Sequence, residues 1–358
     1  MKKSLLALAV LGAYAGVASA QSSVTLYGTL DMAPTYVKND GFDRRLSLAT
    51  NGINSSQLGF RGIEDLGGGL RAGFNIIADL APIDTGNNAA RFWGRRATVS
   101  LFSNAGELRL GRDYTPTFWN QTIFDAFGTN GVGSSLNPRQ IYAGTRQDNT
   151  IGYFLPSNLG GFYGQAMAGA AEGGTSGDRA ARYLGARVGF AAGPFDVAFA
   201  YSQERFATAA VITGTTGIGQ AVAILAGEKQ KTWNIGGSWD FGFAKLMGYY
   251  DHESMPGASE KMFSISANFP FGQSEVRVGY DMSKLDRDAL GTFDSKVDQI
   301  KATYQYNLSK RTAMYATVSR LNNKDATRLA VIGGSSAPTA PTAGGESKGF
   351  QLGVRHFF

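Results

Sequence analysis

Beyond a short leader, the chain places apolar residues at every second position in stretches of about ten, the period of a β-strand whose two faces meet different surroundings. Trp233, Ile235, Gly237 and Trp239 line one face of such a stretch, while Asn234, Gly236, Ser238 and Asp240 occupy the other. Phe263, Ile265, Ala267 and Phe269 alternate in the same way with Ser264, Ser266 and Asn268. Ile300, Ala302, Tyr304, Tyr306 and Leu308 oppose Gln299, Lys301, Thr303, Gln305 and Asn307, a polar face with no apolar member. The final strand repeats the pattern through Phe350, Leu352, Val354 and Phe358.

Short turns containing Gly, Asn or Pro alternate with long polar loops between these strands. The short ones include Leu66 to Gly69, Ser103 to Gly106 and Pro270 to Gln273, and the long ones include Tyr114 to Arg146, Phe206 to Lys231, Ser254 to Glu260 and Asn322 to Ser347. The segments so joined number roughly sixteen, an even count that puts both termini on one side of a membrane barrel. A soluble β-sandwich also alternates, but its apolar face points inward. Sixteen strands of about ten residues close into a barrel with an aqueous lumen, so the expected fold is all-β, a transmembrane antiparallel β-barrel. The 48 glycines with only 10 prolines suit strands and tight turns, and 43% hydrophobic residues argue against disorder.

Residues 1–20 read as a secretory signal peptide, with Lys2 and Lys3 before an apolar run and Ala18-Ser19-Ala20 at the cleavage site. Residues 21–358 then form a single barrel domain. No second run approaches the ~20 apolar residues of a spanning helix. With no cysteine and only His252 and His356, the chain offers no disulfide framework, thiolate nucleophile or persuasive metal site, and no cofactor is expected.

Several stretches carry a resemblance over nearly the whole chain. Val24-Thr25-Leu26-Tyr27-Gly28, Leu58-Gly59-Phe60-Arg61-Gly62 with Glu64-Asp65-Leu66-Gly67, Gly106 to Asp113 followed by Tyr114, and the end Gly353-Val354-Arg355-His356-Phe357-Phe358 resemble the trimeric general porins of Gram-negative outer membranes, of the β-proteobacterial type. The resemblance implies a homotrimer in the cell outer membrane, surrounded by lipid and lipopolysaccharide and inserted by the assembly machinery through the terminal Phe358. It implies a water-filled channel for ions and small hydrophilic solutes, with the third long loop, Tyr114 to Arg146, folded into the lumen as an eyelet. Asp125 is then the eyelet's acid, the only one in that loop.

The basic side is read from strand parity together with the resemblance. Leu58 and Phe60 face lipid, which turns Gln57 and Arg61 inward, and Gln57 stands where the family has an eyelet arginine. Arg71 faces the lumen near the short-turn end. Arg95 and Arg96 are adjacent, so one points in and one out, and the resemblance selects Arg95. Arg139, in the returning limb of the loop, matches a further basic position. One acid opposite several guanidiniums implies mild anion preference. Asp84 in the second loop is a candidate trimer latch, and Arg187, Arg277 and Lys301 also sit on polar faces.

Three other readings compete. A barrel enzyme needs a positioned base, and His252 lies between Asp251 and Glu253, but strand neighbours point to opposite faces. A substrate-specific channel for a sugar or organic anion would use an aromatic slide, for which Tyr114, Phe118, Trp119, Phe124 and Tyr142 are available. Their simpler role is packing the loop against the wall. An adhesin would use exposed loops, but the fifth is too apolar at Ala221 to Ala226 for an exposed tip and is expected to pack on a neighbouring loop or subunit. Nothing supports nucleotide or nucleic-acid binding.

Overall fold

The structure is a computed structural model that describes residues 23–81, 91–142, 144–170, 182–206, 210–212, 222–287, 295–332 and 339–358. The expected leader at 1–20 and Asp84 lie outside the described residues. The wall begins with β1 (Ser23–Asn39), β2 (Arg45–Thr50), β3 (Gln57–Gly67), β4 (Leu70–Asp79), β5 (Arg96–Ser103) and β6 (Gly106–Tyr114). Helix α1 (Pro116–Ile123) precedes β7 (Arg146–Phe154), β8 (Phe162–Gly169), β9 (Arg182–Ala192) and β10 (Phe195–Arg205). A separate small hairpin follows, β11 (Ala210–Ile212) with β12 (Val222–Ile224). The wall resumes with β13 (Lys229–Asp240), β14 (Lys245–Met255), β15 (Ala258–Phe271), β16 (Ser274–Arg287), β17 (Ser295–Asn307), β18 (Thr312–Asn323) and β19 (Glu346–Phe357).

Every wall strand pairs antiparallel with its neighbours. β2 pairs with β1 from Met32 to Val37 and β3 with β1 from Ser23 to Thr29, so β2 and β3 are two segments of one stave and the wall has sixteen. β19 returns to β1, Thr29 opposite Phe357 and Asn39 opposite Ser347, and the sheet closes as the sequence pattern predicts. At this seam Gly28 and Phe358 exchange backbone hydrogen bonds, each 3.1 Å. A Cβ on Gly28 would come within 2.3 Å of the Phe358 ring, so the close approach of the terminal residue requires glycine there.

Burial inverts the arrangement of a soluble protein. On β17, Gln299, Lys301, Thr303 and Gln305 are buried while Ile300, Tyr304 and Tyr306 are exposed. Leu26, Leu30, Phe263, Ile265, Leu352 and Val354 are exposed on other strands, and Asp31, Asn234, Asp251, Glu253, Ser264 and Asp281 are buried. Polar residues inside and apolar residues outside are what a barrel in lipid needs, and a sandwich core would show the reverse.

Two local readings change. The sixth long loop, expected over Ser254 to Glu260, is a tight turn: β14 runs to Met255 and β15 starts at Ala258, with Gly257 at φ 74. Alternation alone cannot find a hairpin whose turn residues continue polar strands. Arg95 and Arg96 do not divide between faces. Arg95 precedes the first residue of β5, escapes strand parity, and reaches the same Tyr114 that Arg96 covers. The fifth loop, too apolar for an exposed tip, packs inward as expected: Val222 and Ile224 are buried with Ile141, Met255, Ala258 and Leu285.

Candidate functional site

The connection from β6 to β7 hydrogen-bonds to inward-facing groups of the wall. Thr115 caps α1, its hydroxyl accepting from the Phe118 N–H at 3.3 Å, and Pro116 opens the helix where no amide donor is needed. The helix hydrogen-bonds to inward-facing groups of the wall. Asn120 donates to Asn234 Oδ1 at 2.9 Å and to the Ala198 carbonyl at 3.1 Å, and Gln121 donates to Asp251 Oδ2 at 2.8 Å. Beyond the helix, the Val132 N–H donates to Gln351 at 3.0 Å and the Gln140 N–H to Glu260 at 2.9 Å. Phe124 is wholly buried with Ala198, Tyr249 and Met262, so this aromatic packs the connection rather than lining a slide.

Two ionic clusters hold the segment from below. Arg139 is wholly buried and pairs with Asp251, with Glu253 at 3.2 Å and with Glu260 at 3.9 Å. Burial disfavours its charge, and Asp251, Glu260 and Glu253 more than offset this, so its pKa is raised. Lys301 pairs with Asp281 at 2.9 Å and Asp125 at 3.5 Å, under the Phe127 ring at 4.5 Å. Asp125 also accepts from the Phe127 and Thr129 N–H groups at 3.1 and 3.2 Å, as a carboxylate closing its own turn does.

The opposite wall is different. A cavity of about 440 Å³ lies between the connection and the first staves, and its lining includes Gln57, Arg95, Tyr114, Asn130 and Arg146. Among the described residues Arg95 and Arg146 are the only cations in that lining, and none is a carboxylate. Arg95 pairs with Asp79 at 2.8 Å and donates to Tyr114 Oη at 3.4 Å. Arg146 donates to the same hydroxyl at 3.0 Å and lies 4.6 Å from the ring centroid. Among the described residues Arg146 has no carboxylate partner. Behind them Asp113 is buried between Arg96, at 2.7 Å, and Arg109. Gly111, at φ 120, shapes this stretch: its Cβ position lies 2.1 Å from the Ala97 carbonyl, and the β6–β7 register slips between Gly111 and Asp113.

Of the residues singled out from sequence, Gln57 and Arg95 share the cavity, and Asp125 and Arg139 lie buried against the far wall. Arg61 sits lower, opposite Thr25 and Asn75, with its guanidinium 5.4 Å from the Tyr27 ring. Arg71 lies near the short-turn end, 5.5 Å from the Phe102 ring. The sequence reading did not select Arg146, although it bounds the expected eyelet loop. His252 points outward beside Trp233, with ring centroids 5.7 Å apart, while Asp251 and Glu253 are buried on the inner side. No group of ligating side chains for a metal occurs among the described residues.

A closed barrel with an apolar exterior and a charged interior defines a membrane channel. A family profile described as Gram-negative porin matches residues 7–326, and the chain belongs to that family. It is 38% identical to outer membrane porin protein 32 of Delftia acidovorans over the full length of both chains. It is 28% identical to an outer membrane porin protein of Bordetella pertussis, over 90% of this chain and 95% of that one. Among solved structures, an anion-selective porin from Comamonas acidovorans superimposes with a TM-score of 0.76 at 34% identity, covering 94% of this chain and 100% of that one. The protein is therefore an outer-membrane porin, a channel and not an enzyme.

Proposed function

We propose that the mature chain, residues 21–358, forms a general diffusion pore with mild anion preference, its narrowest part between the β6–β7 connection and the first staves. The observation that carries this is the cavity whose only charged residues among those described are Arg95 and Arg146. An anion entering it meets two guanidiniums, one of them without a carboxylate partner among the described residues, in a confined field that favours negative solutes. Gln57 makes the lining polar without adding charge, and Arg61 and Arg71 extend a positive track toward the short-turn end. Asp125 balances the far side through Lys301, and Arg139 fixes the connection in place. The solved relative carrying the words anion-selective in its title supports this sign.

The same reading places the long connections outside the cell and lipopolysaccharide around the outer half of the wall. Three copies associate, with Asp84 as the latch, and Phe358 at the seam serves as the signal read by the assembly machinery. Recording in a planar bilayer tests the pore and the trimer together. Single channels should close in steps of three, and the reversal potential across a salt gradient should lie on the anion side. Arg146→Gln should lower the anion-to-cation ratio about ten-fold, since a unit charge ~6 Å from an ion in water is worth ~0.7 kcal/mol, favourable to an anion and unfavourable to a cation. A wild-type reversal potential on the cation side would overturn the charge assignment.

A further inference from the structure

The outward face of β13 to β17 carries a pattern that conduction does not use. Strand register places Trp233 opposite His252, His252 opposite Lys261, Lys261 opposite Lys284 and Lys284 opposite Lys296. One basic side chain thus follows another across four adjacent staves, a row of about 14 Å at the usual spacing between strands. Lys231 stands one step higher on β13, beside this row and exposed. All of these lie near the end of the barrel where β14 turns into β15. Their neighbours along each strand, such as Glu253, Glu260 and Val297, are buried inside, so the row faces away from the lumen.

The step below the row is mainly apolar: Ile235, Tyr250, Phe263 and Met282 are mutually paired on the same outward face, followed by Asp298 on β17. Below them come Ile265, Tyr280 and Ile300. A cationic row standing directly on an apolar wall matches an amphiphile with an anionic head and acyl chains, whereas a soluble anion would gain nothing from the wall. Asp286 bridges Lys261 at 3.4 Å and Lys284 at 2.9 Å, which holds both ammonium groups at one height. Lys261 and Lys284 remain 50% and 42% exposed, open to an outer ligand. The face of β2 is unlike this one: at the same end it presents Leu46 and Leu48, 77% and 46% exposed and suited to an apolar partner.

We propose that His252, Lys261, Lys284 and Lys296 form a binding site for the phosphorylated headgroup of the outer-leaflet glycolipid, with its acyl chains along Phe263, Ile265 and Ile300. A headgroup bearing two phosphates on a disaccharide can engage two lysines of the row at once. This site rests on the reading that lipopolysaccharide surrounds the outer half of the wall.

The test is native mass spectrometry of the full-length mature protein, folded in detergent and titrated with bisphosphorylated lipid A, monophosphoryl lipid A or inorganic phosphate. Bisphosphorylated lipid A should bind the wild type best. The variant combining Lys261→Gln, Lys284→Gln and Lys296→Gln should lose affinity by a factor on the order of 100. The corresponding triple Lys→Arg variant should retain it, which separates lost charge from lost fold. Equal binding by wild type and folded Gln variant would overturn the site while leaving a lipopolysaccharide-surrounded barrel intact. No lipid A bound to the wild type would overturn that wider reading as well. Equal competition by inorganic phosphate would show a soluble-anion site, and a Gln variant that changes oligomer size but keeps its lipid would show a subunit contact; either result defeats the proposal.

Discussion

The two walls of the lumen hold charge in different ways. Against β14 to β17 two ionic clusters are wholly buried: Arg139 lies among Asp251, Glu253 and Glu260, and Lys301 between Asp125 and Asp281, all with side chains at most 1% exposed. On the side of β3 to β7 the ions border a cavity, and Arg146 meets a phenol rather than a carboxylate. A buried charge held among opposite charges mainly fixes geometry, because separating its partners is costly. A charge on a wet surface stabilises little but acts on any passing ion. On the proposed function, one wall's charges hold the inner loop and the other's sort solutes.

The largest effect that would break this contrast is on stability. Arg139→Met removes one cation from three buried carboxylates, and deleting one partner of a buried ion cluster costs about 3–5 kcal/mol. The denaturant midpoint of the folded barrel should fall accordingly, and open-channel current should become noisy as the connection loosens. Arg146→Gln, which removes one hydrogen bond to Tyr114, should cost only about 1 kcal/mol. Equal stability of the two variants would show that Arg139 does not anchor the loop.

Salt provides a smaller and reversible probe. The Debye length shrinks from about 10 Å at 0.1 M to about 3 Å at 1 M, so the field of Arg95 and Arg146 on a permeating ion should fade over that range. The reversal potential for a fixed concentration ratio should approach zero at high salt, while thermal stability, resting on dry ion pairs, should hold. A selectivity unchanged at 1 M would point to a dehydrated contact instead of a field.

Much of the barrel was legible because alternation is a local property. Gln299 to Asn307 reports its two faces without reference to any partner, and the count of sixteen follows from turns and loops that interrupt such runs. The inner clusters were not legible because their members are distant in the chain. Arg139 meets Asp251 across 112 residues and Lys301 meets Asp125 across 176, and no spacing rule connects them. Parity also misleads at strand ends: Arg95 lies one residue outside β5, and the rule that should have sent it or Arg96 outward has no force there. The apolar run in the fifth loop was a readable signal, since Val222 and Ile224 needed a cover, but only the fold supplies Ile141 as part of it.

Asp125→Asn should give the smallest effect and the sharpest comparison. In sequence this residue is the only acid of the inner connection, so neutralising it would be expected to raise anion preference as much as Arg146→Gln lowers it. In the structure its oxygens are taken up by two backbone N–H groups and by Lys301, and Lys301 keeps Asp281 at 2.9 Å when Asp125 is neutral. An asparagine Oδ1 can still accept the Phe127 N–H, so the turn survives. The reversal potential should therefore move by much less than it does in Arg146→Gln, with a modest loss of stability. An equal and opposite shift would show that the far wall's carboxylate reaches the permeating ions, and the division between a holding wall and a sorting wall would be wrong at that residue.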